Sequence, residues 1–298
     1  MAHGPVVIVA AVNGGMQDNR DGAIVPCTPE EIAEAAHRCH QEGAAVVHVH
    51  ARDENRRNSG DPRIYSEIIR RIRDRCDILI QTTNGIGVRR DAKTGQLVWP
   101  SDAERLQLLH LEPRQDLFGI AAGSMDFFHP EGGYRQETPY VNSIDLLRTT
   151  IEAVYAIGST LEYEVVEASA LHRLLRLADQ GVFDRHRENV WLLHGGGFGA
   201  TPPAARNILF SIDEGQRLFP RAKWGVVGTG RDQGWIGALG LSLGCDTVRV
   251  GFEDSIHLPN GEVARHNHEQ VREMAKIART FGREPASVAE ARRVFGLG

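Results

Sequence analysis

The stretch TPEEIAEAAHRCHQEGAAVVHVHARDE, residues 28–54, contains the repeating unit that decides the fold. Thr28 is a good N-cap, Pro29 suits the first helical position and Glu31 completes a capping box, which together predict the start of a helix. Gly43 ends that helix, and the apolar run AAVVHVH follows at once as a buried strand. A helix followed directly by a strand is the unit of alternating α/β folds.

The same unit recurs along the whole chain. The eight predicted strands are VVIVAAV (6–12), AAVVHVH (44–50), DILIQTT (77–83), DLFGIAAGS (116–124), TLEYEVVE (160–167), NVWLLH (189–194), AKWGVVG (222–228) and DTVRVGFE (246–253). Amphipathic stretches separate them, and no Pro- or Ser-rich linker interrupts the pattern. We therefore expect one α/β domain over residues 1–298, a single-domain (β/α)8 TIM barrel with extra C-terminal helices. The doubly wound alternative usually carries GxGxxG in its first turn, which NGGMQDN lacks.

Composition excludes several classes of partner and location. The formal net charge of −5 argues against nucleic acid. The N-terminal stretch MAHGPVVIVAAV lacks a basic region, and no run of about 18 apolar residues occurs, so we expect neither a signal peptide nor a membrane partner. The four cysteines form no CxxC pair, which favours a reduced, cytoplasmic setting.

Two histidines end the second predicted strand. Side chains alternate along a strand, so His48 and His50 point the same way, toward the interior of the predicted barrel. Neutral imidazoles in a barrel mouth suit a divalent metal, usually Zn²⁺. Glu253 ends the eighth strand, which lies near the second, and can supply a third ligand. The alternative is two histidines that simply bond to polar neighbours.

Charged residues also lie inside the predicted barrel. Arg249 shares a strand face with Glu253, and a buried arginine is rare without a carboxylate partner, for which Asp254 and Glu164 are the candidates. The alternative is a structural ion pair that closes the barrel. On the fifth strand, Glu162 and Glu164 share one face; we expect Glu164 to point inward and Glu162 to lie outside the packed layers.

Glycine-rich loops follow the sixth and seventh strands. HGGGFGATPP (194–203) and VGTGRDQG (227–234) expose backbone N–H groups, which indicates an extended ligand with phosphate, such as a nucleotide-containing cofactor. Tight turns that need positive φ are the alternative. Small polar residues, Thr83 and Ser124 among them, end the third and fourth strands and are able either to bind a carboxylate or to cap the following loops.

The motifs HVHARD (48–53), AAGS (121–124) and RVGFED (249–254), in this order on these strands, resemble those of the β-keto acid cleavage enzymes. The resemblance covers nearly the whole chain. It implies a zinc-bearing (β/α)8 barrel, usually a homotetramer. It also implies that the acetyl group of acetyl-CoA condenses with a β-keto acid to give acetoacetate and a new CoA thioester.

The resemblance also implies roles for individual residues. His48, His50 and Glu253 would hold zinc, and Arg249 and Asp254 match the pair that removes a proton from C2 of the keto acid. The remaining implied roles are carboxylate binding by Thr83, a place near the reacting carbonyl for Ser124, and orientation of the site by Glu164. On physical grounds, we expect the N–H groups of the glycine-rich loop, those of Gly196 and Gly197, to stabilise oxyanions of the substrate.

The first turn departs from the family pattern. The lysine-fermentation member of the family holds its substrate ammonium with a glutamate, where Met16 or Gln17 stands here. We therefore expect Asn13 and Met16 to contact a neutral or differently polar β-keto acid. Two rivals remain: a metal-dependent amidohydrolase-like hydrolase, for which His194 is well placed, and a non-catalytic barrel that binds CoA or another metabolite. A class II aldolase is also possible, but the loops and the Arg249–Asp254 pair fit a thioester substrate better.

Overall fold

The computed structural model describes residues 4–15, 21–91, 93–129, 134–186, 190–196 and 199–297. Eight parallel strands form a closed barrel: β1 (Val7–Ala11), β2 (Ala44–His48), β3 (Leu79–Thr83), β4 (Leu117–Ala121), β5 (Thr160–Val165), β6 (Val190–Gly195), β7 (Lys223–Gly228) and β8 (Thr247–Val250). Each falls on one of the eight predicted runs, so the expected (β/α)8 barrel is confirmed.

Neighbours in the barrel follow the order of the chain, and β8 closes on β1. Ala11 of β1 aligns with His48 of β2, while Val9 aligns with Arg249 of β8. Since β1 is flanked by both strands, the residues after the carboxyl ends of β2 and β8 meet above it. The barrel order therefore brings together the two motifs that the sequence singled out.

Helices surround the barrel. They are α1 (Pro29–Gln41), α2 (Pro62–Arg75), α3 (Asp102–Gln107), α4 (Ile144–Ala156), α5 (Ala168–Asp179), α6 (Ala205–Leu218), α7 (Gln233–Leu243), α8 (Asn267–Thr280) and α9 (Val288–Val294). The predicted capping box is present, since Thr28 accepts the Glu31 N–H and the Glu31 carboxylate accepts the Thr28 N–H. No helix in the described part of the chain is both long and apolar enough to cross a lipid bilayer.

Two helices, α8 and α9, follow β8, as the sequence predicted. The chain first turns at Gly261 (φ 86°), and α8 then begins at Asn267, where Glu269 accepts the His266 N–H at 3.1 Å. Helix α9 follows as expected, and Ala291 and Phe295 belong to the same buried apolar cluster as Val7 and Leu79. This cluster fills the barrel at the amino ends of the strands, opposite the end where the reactive residues lie.

Two hairpins, which the sequence pattern did not predict, extend the loops after β3 and β4. The first pairs Arg89–Arg90 with Leu97–Val98, and the second pairs Met125–His129 with Tyr134–Tyr140. Trp99 follows the first hairpin and packs against Tyr140 of the second, with ring centroids 4.3 Å apart and the ring planes tilted by 30°. The hairpins therefore form a shared aromatic wall above the carboxyl ends of the strands.

Candidate active site

Three potential metal ligands meet at the carboxyl end of the barrel. The Nε2 atoms of His48 and His50 are 3.1 Å apart. Glu253 lies 3.2 Å from His48 Nε2 through Oε2 and 3.4 Å from His50 Nε2 through Oε1. Tetrahedral zinc with bonds of about 2.0–2.1 Å separates its donor atoms by about 3.3 Å. The three donor atoms are thus spaced as the edges of a tetrahedral metal site require.

The protonation states also suit a divalent metal. Gln81 Oε1, which only accepts, lies 2.7 Å from His48 Nδ1, so Nδ1 carries the proton and Nε2 offers its lone pair. Burial lowers the pKa of His48 to about 4, which keeps the ring neutral. Burial alone would raise the pKa of Glu253, but Arg249 and the two imidazoles outweigh it and hold that pKa well below its usual value. The donor set is therefore two imidazoles, of which that of His48 is held neutral, and one carboxylate.

His50 is held in place through its backbone. Its N–H donates to Asn13 Oδ1 at 2.9 Å, and its carbonyl accepts from Asn13 Nδ2 at 2.8 Å. Asn13 also accepts the Gly14 N–H and donates to the Pro26 carbonyl, so its buried amide is fully used. The expected substrate contact of Asn13 is therefore corrected: it anchors a potential metal ligand, because main-chain groups surround its side chain.

Glu253 reaches the site by a turn rather than along a strand. Strand β8 ends at Val250, three residues earlier than the predicted run, and Gly251 follows with φ 143°. A Cβ on Gly251 would collide with the Ala11 carbonyl, and one on Gly14 (φ 71°) would collide with Glu253 itself. Glycine at both positions therefore allows the turn to bring Glu253 over the end of β1.

Arg249 contacts three carboxylates, one of which, Glu253, is also a potential metal ligand. It is 2% exposed and bonds Asp254 twice, from Nε to Oδ2 at 2.7 Å and from Nη2 to Oδ1 at 3.0 Å. It also lies 2.9 Å from Glu253 and 3.2 Å from Glu164. Both expected partners, Asp254 and Glu164, are thus present. Burial alone would lower the pKa of Arg249, but the carboxylates outweigh it and raise that pKa.

Asp254 has the properties of a proton acceptor. It is 6% exposed and lines the same cavity as the potential metal ligands. Burial raises the pKa of Asp254 to about 6, against the opposing effect of Arg249. A carboxyl group with a pKa near neutrality can take up a proton and release it again during one reaction cycle. Arg249 fixes both oxygens of this carboxylate, so its direction is set by the fold.

The cavity over these residues has distinct polar and apolar parts. Thr83 lines one side; its buried hydroxyl accepts the Gly85 N–H at 3.0 Å. Trp99 and Tyr140 line the outer wall, with Met125 and Val166 also in the lining. Every charged or histidine side chain in the described lining belongs to the deep end: His48, His50, Glu164, His194, Arg249, Glu253 and Asp254.

The remaining predicted contacts lie in different places. Ser124 is exposed and is not among the lining residues; it accepts the Asn142 N–H at 2.8 Å and donates to the Asn142 carbonyl at 3.3 Å. Gly196 lines the cavity, but its N–H donates to the Thr201 carbonyl at 2.9 Å, so it is not directed at a ligand. Met16 and Gly197 lie outside the described residues.

Of three further polar residues near the site, the sequence reasoning misplaced Glu162, missed Gln81 and considered His194 only for the hydrolase alternative. Glu162 is completely buried inside the barrel, so the expectation that it lies outside the packed layers is wrong. Gln81, which bonds His48, is equally buried, and its alternation with Thr83 was the available signal. His194 lines the cavity with no hydrogen-bond partner at Nε2 in the described part, and burial, assisted by Arg249, lowers its pKa to about 3.

The chain was also compared with known proteins. A family model described as beta-keto acid cleavage enzyme matches residues 5–297. A 3-keto-5-aminohexanoate cleavage enzyme of Fusobacterium nucleatum is 30% identical over 296 residues, with 98% of each chain covered. A 3,5-dioxohexanoate:acetyl-CoA acetone transferase of Paraburkholderia graminis is also 30% identical, over 98% of this chain and 96% of its own.

More distant relatives agree. A 3-oxoadipate:acetyl-CoA acetyltransferase of Cupriavidus necator is 28% identical, over 98% of this chain and 95% of its own. The solved ternary complex of ObcA with a C4-CoA adduct and oxalate shares the fold, with a TM-score of 0.75 and 20% identity. That match covers 92% of this chain and 67% of the longer ObcA chain. With the family model matching almost from end to end, this chain belongs to the β-keto acid cleavage enzyme family.

Proposed function

We propose that this protein is a zinc-dependent enzyme that converts a β-keto acid and acetyl-CoA into acetoacetate and a new acyl-CoA. The observation that carries the proposal is the pairing of Arg249 with Asp254 in the same cavity as the His48–His50–Glu253 trio. This arrangement sets a proton acceptor beside a potential Lewis acid. The activities for which the relatives are named, two of which include acetyl-CoA, support the same reaction class.

The first step is proton removal from C2 of the keto acid. Asp254 accepts this proton, while Arg249 holds the carboxylate in position and Glu164 holds Arg249. Thr83 binds the substrate carboxylate through its hydroxyl group. A divalent metal held by His48, His50 and Glu253 would act as a Lewis acid and withdraw charge from the substrate carbonyl, which makes the C2 proton more acidic.

Two carbon–carbon steps follow. The C2 carbanion attacks the thioester carbonyl of acetyl-CoA; a C2–C bond forms, the C–S bond breaks and CoA leaves as the thiolate. The thiolate then adds to the original ketone carbon and the C2–C3 bond breaks, which releases the new acyl-CoA. The electron pair left on C2 takes back the proton that Asp254 holds, and the second product is acetoacetate. His194, a neutral N–H donor facing the cavity, stabilises the oxyanions of these steps.

The proposed substrate is a β-keto acid whose variable end, beyond the ketone, carries no charge. The outer lining described here consists of glycines, aromatic and apolar residues, and Thr229, and it offers no charged partner for a second charge on the substrate. Met16, which stands in place of the acidic residue of the lysine-fermentation enzyme, is proposed to contact the variable end of the substrate. Ser124, Asn13, Gly196 and Gly197 receive no part in the mechanism, and the predicted substrate contacts of Ser124 and Gly197 stay predictions.

Other properties are proposed with the function. The whole chain, 1–298, acts as one metal-dependent barrel domain, assembles as a homotetramer and works in the cytoplasm, where acetyl-CoA is available. The hydrolase alternative is less well supported, because it uses several further histidines and the described lining of the cavity adds only His194. It also needs no CoA, which separates the two functions experimentally.

The test is a substrate panel with metal-reconstituted protein. Acetoacetate formation is measured with acetyl-CoA and β-keto acids whose variable ends are neutral, cationic or anionic. We expect acetoacetate only when acetyl-CoA is present and the highest kcat/KM for a neutral substrate. Product formation without acetyl-CoA would favour the hydrolase, a preference for a cationic substrate would contradict the neutral assignment, and full activity in His48→Ala would contradict the metal assignment.

A further inference from the structure

Two buried polar side chains lie behind His48, on the side away from the cavity. Gln81 on β3 and Glu162 on β5 are both fully buried, and neither lines the cavity. The registers place Gln81 next to His48, and Glu162 next to Gly119 of the intervening strand β4. The ideal Cβ position of Gly119 is 3.7 Å from both Gln81 Cδ and His48 Cε1, so no β4 side chain separates these residues.

The Gln81 side chain is hydrogen-bonded to His48. Its Oε1 accepts from Nδ1 at 2.7 Å, which places the proton on Nδ1 and directs the Nε2 lone pair to His50 and Glu253. The other end of the amide lies beside Glu162: burial raises the pKa of Glu162, and the neighbouring Gln81 amide opposes that rise. By strict geometry neither Gln81 Nε2 nor the Glu162 oxygens complete a hydrogen bond within the described residues; the two groups are adjacent but not ideally aligned.

Such a pair is costly in a barrel core. Buried amide and carboxyl groups destabilise a protein when their hydrogen bonds are incomplete, and an apolar pair of similar volume would pack here without that cost. Metal-bound histidines are commonly oriented by a hydrogen bond to the other ring nitrogen. His48 has that bond from Gln81, whereas His50 Nδ1 has no partner in the described part of the chain.

We propose that Gln81, supported from behind by Glu162, is a positioning residue that fixes the ring and the tautomer of His48 for metal binding. Gln81 holds the proton on Nδ1, and Glu162 keeps the Gln81 amide oriented with its oxygen toward the ring. The inference rests on the proposed metal site. It does not depend on the reaction, because its effect is on metal affinity.

The decisive variant is Gln81→Met, which keeps the length of the side chain and removes the amide. We expect metal-free Gln81→Met to bind Zn²⁺ about 10–100-fold more weakly than the wild type, measured by competition with a chromogenic chelator. Gln81→Glu retains an acceptor for Nδ1 and should bind within about threefold of the wild type. Gln81→Leu serves as a second variant if the methionine variant does not fold.

A matched control separates positioning from packing. Gln115 is another buried glutamine, which donates to the Leu108 carbonyl far from the trio, and Gln115→Met should leave the Zn²⁺ affinity unchanged. The unfolding temperature of each metal-free variant confirms folding, and the visible spectrum of the Co²⁺-loaded protein reports ligand geometry. The spectrum should change in Gln81→Met and not in Gln115→Met.

The outcomes are distinguishable from those for the proposed function. Wild-type Zn²⁺ affinity in folded Gln81→Met, with an unchanged Co²⁺ spectrum, would overturn the inference. Loss of affinity in Gln81→Met but not in Glu162→Leu would overturn the part assigned to Glu162. A wild type that binds Zn²⁺ tightly yet makes no acetoacetate would contradict the proposed reaction and leave the positioning of His48 intact.

Discussion

Arg249 and Asp254 meet through two parallel hydrogen bonds, 2.7 and 3.0 Å long, at the floor of the cavity. A bidentate pair of this kind fixes the plane of the carboxylate as well as its position. Because Arg249 also contacts Glu164 and Glu253, one buried guanidinium connects the proton acceptor with the potential metal site. The two halves of the site are therefore placed by a single side chain of β8.

Asp254→Asn should remove turnover and keep the metal. The amide has the shape of the carboxylate but cannot accept the C2 proton, so we expect kcat to fall by roughly 10²–10⁴-fold. Zinc content per chain, measured by elemental analysis, should equal that of the wild type. Asp213→Asn, on the exposed face of α6, is the matched control and should have wild-type kcat. Retention of more than a tenth of the activity in Asp254→Asn would exclude Asp254 as the base.

Thr83 should affect the keto acid and not the thioester. Thr83→Val removes the hydroxyl at nearly constant volume, and Thr83→Ser retains it. We expect the valine variant to raise KM for the keto acid about tenfold, consistent with a lost hydrogen bond to a charged group. KM for acetyl-CoA should not change, and the serine variant should behave like the wild type. Equal increases in both KM values would argue for a general disturbance of the pocket.

His194→Phe tests the neutral imidazole at the end of β6. The substitution keeps an aromatic ring but removes the N–H donor, so we expect kcat to fall by about 10²-fold through loss of oxyanion stabilisation. Zn²⁺ affinity should be unchanged, because His194 is not part of the ligand trio. A large loss of Zn²⁺ affinity with normal kcat at saturating metal would instead make His194 a metal ligand, as the hydrolase alternative requires.

Glu162 should make stability depend on pH. Burial raises its pKa from 4.5 to about 7, with Arg249 opposing. Between these values the unfolded chain releases the proton while the folded chain keeps it, so the free energy of unfolding falls as pH rises from 4.5 to about 7. The shift corresponds to at most about 3 kcal/mol. The lowered pKa values of His48 and His194 make the free energy of unfolding rise with pH instead. Both histidines are present in the wild type and in Glu162→Gln, so their effect cancels when the two proteins are compared.

Glu162→Gln removes this contribution because its amide does not titrate. Urea unfolding of metal-free protein at pH 5 and pH 8 measures the effect. The wild type should lose about 1–3 kcal/mol more than Glu162→Gln between the two pH values. Parallel loss in both proteins would show that Glu162 titrates in the folded state as it does in the unfolded chain.

Most of the strands and helices could be predicted from the sequence, because the signals that specify them are local. Alternating apolar runs and capping residues such as Thr28 predicted all eight strands and most helices, because these signals act within a few residues. The barrel order then brought His48 and His50 to Glu253, as expected. The two hairpins were missed because their strands are held by tertiary contacts, notably Trp99 on Tyr140, rather than by a local pattern.

The depth of a side chain inside the barrel was the property that the sequence predicted least well. Alternation correctly put Glu162 and Glu164 on one face, but it does not say how far each lies below the mouth. Glu162 is fully buried and Glu164 reaches the cavity, since the tilt of the strands sets their heights. Asn13 was misplaced for a similar reason: its partners are main-chain groups of His50, Gly14 and Pro26, which no residue pattern reveals.

The fate of the acetyl carbons tests the central claim most directly. Metal-loaded protein is incubated with a neutral β-keto acid and acetyl-CoA labelled with ¹³C in both acetyl carbons, and the products are analysed by mass spectrometry. The proposed reaction predicts acetoacetate that carries both labelled carbons at C3 and C4, and a new acyl-CoA without label. Unlabelled acetoacetate, or label retained entirely in the CoA ester, would contradict it.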